Sequence, residues 1–303
     1  MAMVLGARIW TAAGLACIAV GCTIEVADTN GAPAESPRAP EEPTIVVAAG
    51  DLASAGDGDS LVAVQMARMR FAAFFTLGDH AYENGTAEQF AMYYQPVFGR
   101  FDSLTLPSPG NHDYYDRPRA RGYRAYFSAR APAYPDSAIY YTFDLGGWRW
   151  FSLNSEVSAT IHSAQYAWVE RHLRARGLPR CFGAYWHRPV HSIGSTPPDA
   201  KMKPIWGLLA RKGAVLVVNG HEHNYQRWRP IDGITQIIAG TGGASLYTPN
   251  RTDSRVVMWD AEHFGVLELT LWGDRAAYRW VVTSGVALDS GSVSCPDPGA
   301  APR

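Results

Sequence analysis

Neither sign of charge is in excess in this chain. Its 27 lysines and arginines stand against 28 aspartates and glutamates, a formal net charge of -1, which gives no electrostatic reason to expect nucleic acid. Repeats are missing too, and without a period of roughly 20 to 50 residues a solenoid or propeller is excluded. Cysteine is scarce, with four in 303 residues, of which Cys17 and Cys22 lie in the first segment. That segment has one basic residue, Arg8, ahead of an apolar stretch from Ile9 to about Cys22, too short and wrongly flanked for a spanning helix. What remains, 47% hydrophobic and 18% charged, suits one sizeable globular domain or two small ones.

Residues 1–22 read as an export signal, which places the mature protein outside the cell, in the periplasm or on the envelope. The string IAVGC weakly resembles a bacterial lipoprotein cleavage box, with Ala19 where leucine is usual. A lipid on Cys22 is the single membrane attachment this implies. Residues 23–43, rich in proline, alanine and acid, lack the periodicity that would bury them and read as a disordered tether; residues 296–303 read as a disordered tail. Once the leader is gone only Cys181 and Cys295 remain. An even pair in an exported chain favours a disulfide tying the chain end back to a strand, against the alternative of two buried thiols.

Five short apolar runs each stop on a residue type that binds metals. They are TIVVAAGD ending at Asp51, FFTLGDHAY carrying Asp79 and Tyr82, LPSPGNHD carrying Asn111, FGAYWH ending at His187, and AVLVVNGHEH carrying His221 and His223. In four of them glycine precedes the first ligand type and permits a sharp turn at the strand end. Carboxylate, amide oxygen and imidazole gathered at the carboxyl edge of an open sheet suit hard and borderline dications.

Between these runs, Asp59 to Arg70, Thr86 to Tyr94 and Ser163 to Arg176 carry capping types and helical spacing. Ile139 to Asn154 and Phe264 to Thr283 read as antiparallel pairs pivoting on Gly146–Gly147 and on Gly273–Asp274. The expected fold class is α/β, with two packed mixed sheets flanked by helices over residues 44–295.

The five blocks in order, GDLA, GDHAY, GNHD, YWHRP and GHEHNYQR, resemble the calcineurin-like metallophosphoesterases, and within them the purple acid phosphatase branch. Most members of the family have Asp-x-His in the first block. Here Leu52 and Ala53 follow Asp51, and Tyr82 supplies the replacement that the purple branch uses. The resemblance implies one metal on Asp51, Asp79, Tyr82 and His223, and a second on Asp79, Asn111, His187 and His221, with Asp79 bridging. It implies Fe(III) with a divalent zinc, iron or manganese, and hydrolysis of a small phosphorylated substrate, most simply a phosphomonoester, by a metal-bound hydroxide. His112 is the family's candidate for protonating the leaving oxygen, with Asp113 expected to orient it. A phosphodiesterase or nucleotidase on the same centre, and a non-catalytic envelope binding protein, are the competing readings.

Outside the ligand set, His191 and Tyr114 are candidate substrate contacts, as are Tyr115 and Arg117. His80 is expected at the solvent-exposed mouth of the site. Glu222 is expected to point away from the metals, Arg227 to anchor structure, and Gly240–Gly243 to form a turn near the site.

Overall fold

In a computed structural model, residues 42–56, 58–128, 139–195 and 198–297 are described. The leader, the tether up to residue 41 and the tail from residue 298 lie outside the described residues. Among those described, no helix is long and apolar enough to cross a membrane.

Among the described residues, thirteen strands form two mixed sheets. In chain order they are β1 (Thr44–Ala49), β2 (Ala73–Leu77), β3 (Thr105–Ser108), β4 (Tyr141–Leu145), β5 (Trp148–Ser152), β6 (Cys181–Trp186), β7 (Leu216–Asn219), β8 (Tyr225–Trp228), β9 (Thr235–Ala239), β10 (Val256–Asp260), β11 (Gly265–Trp272), β12 (Arg275–Val282) and β13 (Ala287–Ser294). The first sheet runs β13-β12-β11-β1-β2-β3 and the second β10-β8-β9-β7-β6-β5-β4. Within the first, β1, β2 and β3 are parallel, and β11 returns antiparallel to β1 with Ala48 opposite Leu267. Within the second, β5, β6, β7 and β9 are parallel.

Side-chain alternation explains the layering. Val46 and Ala48 of β1, Phe75 and Leu77 of β2, and Leu267 and Leu269 of β11 face the second sheet, where they meet Trp150, Tyr185, Val218 and Ile237. Their neighbours Val47, Ala49, Phe74 and Val266 face outward under the helices Gly58–Met66 and Arg121–Phe127 and the helical run from Ala87 to Phe98. On the far side, helices Ala164–Leu173 and Lys203–Lys212 cover Phe151, Ala184, Trp186 and Val217. A strand buried on both faces has no polar alternation, which is why these runs read as continuous hydrophobic stretches. Between the sheets Phe75 stacks on Tyr185 at 4.6 Å and meets Trp150 edge-on at 5.0 Å.

The expected two-sheet α/β architecture is present, and both glycine-pivoted hairpins form. Gly146 and Gly147, at φ 60° and 76°, join β4 to β5 in the left-handed geometry that a two-residue turn demands. Thr86 caps its helix through a capping box with Gln89, and Ser163 caps the helix that follows it. Cys181, at the start of β6, is disulfide-bonded to Cys295, just past β13, across 114 residues. The bridge ties the edge of the first sheet to the second.

Candidate metal centre

The expected ligands sit where parallel strands end, with Tyr82 in the turn beyond Asp79, and the two sheets present those ends to each other. Asp51 follows β1, Asp79 follows β2, Asn111 follows β3, His187 follows β6, and His221 and His223 follow β7. The approach is close: a Cβ on Gly220 would lie 2.7 Å from an Asp51 carboxylate oxygen. Gly78 takes φ 89°, and a Cβ there would come within 2.6 Å of His187. Asp51, Asp79 and His221 themselves hold positive φ of 59°, 54° and 73°. For residues with a side chain such geometry costs on the order of 1–3 kcal/mol each and persists where surrounding structure fixes it. Here the Asp51 amide donates to the Gly78 carbonyl at 3.0 Å, and the His221 amide donates to Asp51 Oδ2 at 2.8 Å.

The donor atoms form a chain of short contacts. Tyr82 Oη lies 3.0 Å from His223 Nε2, 3.1 Å from Asp51 Oδ1 and 3.3 Å from Asp79 Oδ2. The same Asp79 Oδ2 lies 3.0 Å from His187 Nε2, which is 3.1 Å from Asn111 Oδ1 and 3.2 Å from His221 Nδ1. Donors about 2.0–2.2 Å from one cation, at tetrahedral or octahedral angles, stand roughly 3.0–3.5 Å apart, so these atoms fit two cations that share Asp79. The residues brought together are the expected sets: Asp51, Tyr82 and His223 on one side, Asn111, His187 and His221 on the other.

Backbone carbonyls aim the rings. His187 Nδ1 faces the Leu77 carbonyl at 2.8 Å and His223 Nδ1 faces the Ser245 carbonyl at 2.9 Å, leaving both Nε2 atoms toward the centre. Burial disfavours charge on His187, but Asp79 outweighs it and holds the imidazole up to about 9. Burial, reinforced by His187 and Arg188, pushes His221 down to about 3 and keeps it neutral. Tyr82 is pushed well above the ordinary phenol range by burial and by Asp51 and Asp79. A cation held among these groups would supply the positive charge that proton-bearing His187 otherwise lends to Asp79.

His112 lies at the rim with its ring 4.4 Å from that of Tyr82. Its Nδ1 faces the Glu83 carbonyl at 2.5 Å, and its Nε2 lies 4.0 Å from Asp79 Oδ2. Asp113 does not orient it. The Asp113 carboxylate is buried in the turn, where it accepts from the amides of Asp79, His80 and Gly110 at 3.0, 3.1 and 2.8 Å and meets His80 Nδ1 at 2.9 Å. Adjacent side chains diverge here, and Glu83 does the orienting.

His80 departs from expectation as well. It is fully buried between Asp113 and Thr76, whose Oγ1 lies 2.6 Å from Nε2, and it is packed among Tyr123 and Phe127. His191 is half-buried against Trp206 and Trp228, a wall position rather than a neighbour of the ligands. Tyr114 borders a cavity beside Asn111 and accepts a bond from Asn154 at 2.8 Å. Glu222 turns from the centre to Ser192 and Tyr247, and Arg227 is clamped by Asp289. The turn at Gly240–Gly243 packs on β1 through a bond from the Gly242 amide to the Gly50 carbonyl.

Two neighbours of the centre escaped sequence reasoning. Arg188 places Nη1 3.0 Å from His221 Nε2 and is held by Glu156 at 3.0 Å. Tyr247 donates to Glu222 and packs 5.1 Å from His223. Arg188 was visible as the residue after His187; Tyr247 lies in a segment with no motif.

Residues 26–225 match the family model of the calcineurin-like phosphoesterases, and the chain belongs to that family. Purple acid phosphatase 15 of Arabidopsis thaliana is 27% identical over 175 residues, covering 50% of this chain and 33% of its own length. Purple acid phosphatase 21 of the same plant is 28% identical over 187 residues, covering 55% and 41%. Purple acid phosphatase PPD1 from yellow lupin seeds shares the fold, with a TM-score of 0.73 at 20% identity over 84% of this chain and 54% of its own. The chain therefore spans well under half the length of the curated relatives it matches.

Proposed function

We propose that this chain is an exported dinuclear-metal phosphoric ester hydrolase acting on phosphomonoesters. Asp79 carries the reading: one carboxylate oxygen faces both donor sets, 3.3 Å from Tyr82 Oη and 3.0 Å from His187 Nε2. Asp51, Asp79, Tyr82 and His223 would hold one cation, and Asp79, Asn111, His187 and His221 the other. Two such cations, when bound, would supply Lewis-acid polarisation of phosphate oxygens and activation of water near neutral pH. The chain's own part is to hold His112 Nδ1 on Glu83, so that Nε2 is free to pass a proton to the departing oxygen. The phenol of Tyr82, once deprotonated, is a hard anionic donor that favours Fe(III) in the first position, with zinc, iron or manganese in the second. A leader-type N-terminus and a disulfide both support export.

Metal-reconstituted protein should hydrolyse p-nitrophenyl phosphate faster than its bis ester and lose the activity on chelation. Preference for the diester would move the assignment to a phosphodiesterase, and absence of both activities to a binding role. Iron-loaded protein should absorb in the visible through charge transfer from phenolate to iron, and Tyr82→Phe should abolish the band while keeping the fold. A band that survives in the variant would make Tyr82 a packing residue.

A further inference from the structure

A cavity of about 410 Å³ opens beside Asn111 and Arg188, and its wall is cationic. Arg117, Arg119 and Arg188 line it, with Glu156 as the one carboxylate among them. Glu156 is already bonded to Arg188, and Asp116, next in sequence to Arg117, is turned inward onto Arg121 and the Gly122 amide. Arg117 and Arg119 are exposed, with no ion-pair partner among the described residues. In a chain whose formal net charge is -1, two uncompensated guanidiniums on one wall of an opening beside Asn111 are not a share of a general excess of positive charge. Arg119 also borders a second cavity of about 420 Å³, so the positive wall extends away from the metal ligands.

On the reading proposed above, this cavity receives the part of the ester that leaves. We infer that the preferred substrates are phosphomonoesters whose leaving group carries a second phosphate, which Arg117 and Arg119 hold while the first lies at the metal centre. The planar fork of arginine matches phosphate oxygens two at a time, and a positive cleft also raises the encounter rate of a multiply charged ester. Tyr115, 51% exposed and 4.8 Å from the His112 ring, lines the same cavity between Asn111 and Arg117 in sequence and offers a face to the body of the leaving group.

The experiment compares a sugar bisphosphate with the matching sugar monophosphate on metal-loaded full-length protein, in the parent and in an Arg117→Gln/Arg119→Gln variant. The bisphosphate should show a KM lower by roughly threefold to tenfold at low salt, the range that two exposed charge contacts supply. The variant should lose that advantage with little change in kcat and none toward the monophosphate, and added salt should erode the parent's preference in the same way. Equal kcat/KM for the two sugars, or a preference that survives in the variant, overturns the inference. If neither sugar is turned over, hydrolysis of p-nitrophenyl phosphate decides the phosphatase reading separately. Calorimetric binding of the two sugars to parent and variant then decides whether the arginine wall selects the second phosphate.

Discussion

Replacing Asp113 by asparagine separates two roles for one carboxylate. Its Oδ2 accepts from the Asp79 and Gly110 amides and meets His80 Nδ1, while Oδ1 accepts from the His80 amide, and both Asp113 and His80 are fully buried. An asparagine oxygen can keep the three contacts at the Oδ2 position, but its NH₂ then confronts the His80 N–H with no acceptor between them. Bonds to a charged acceptor are each worth about 1.5–3 kcal/mol, and a buried donor left without a partner costs about 1–3 kcal/mol. The expected loss is therefore roughly 2–4 kcal/mol, a large part of the 5–15 kcal/mol typical of a domain. Alanine removes every contact and puts the fold itself at stake, so asparagine is the informative change. Urea unfolding should report the loss, and elemental analysis should find fewer metals bound, because the Asp79 and Asn111 turns both hang on this carboxylate. Unchanged stability and full metal content with a depressed kcat would refute this account and return Asp113 to the orientation of His112.

Two further outcomes follow from the geometry. Cys181→Ser with Cys295→Ser opens a loop spanning 114 residues, for which chain entropy gives about 4–5 kcal/mol, and alkylation mapping of the unreduced parent should find no free thiol at either position. In chelated protein, His187 stands at about 9 when folded against 6.5 unfolded, so its stabilisation is fully present below pH 6.5 and is lost as pH rises through about 9. The melting temperature of the chelated protein should fall across that window, and a rise there would contradict the His187–Asp79 coupling.

The strand ends were legible because two signals coincide in them: an apolar run buried on both faces, and a ligand-type residue immediately after it. Asp51, Asp79, Asn111, His187 and His221 all follow this rule. Elements whose faces differ were harder to see. The helix Lys203–Lys212 starts on lysine and proline, and Arg121–Phe127 is preceded by the polar run RPRA, and neither opens on a side-chain cap. Strand β13 reads ALDSGSVS because it is an edge with one solvated face. The burial of His80 depends on Thr76 at one ring nitrogen and on Asp113, distant in sequence, at the other, and no local pattern announces the second. Arg117 was in view as a candidate substrate contact, but the arginine wall was not, for a similar reason: Arg117, Arg119 and Arg188 come together only when the loop after β3 folds against the end of β6.

The order in which the strands are made differs from the order in which they pair. Every metal-facing residue from Asp51 to His223 has left the ribosome before β11 exists, yet β1 sits between β2 and β11 and needs both neighbours. Until then β1 is an open edge that carries Asp51, and closing it requires a contact between distant parts of the chain, the slow kind of pairing. A nascent chain of this design cannot mature vectorially. It holds a full set of donors on an unfinished scaffold, and the strands from β11 onward decide when the earlier ones become a site.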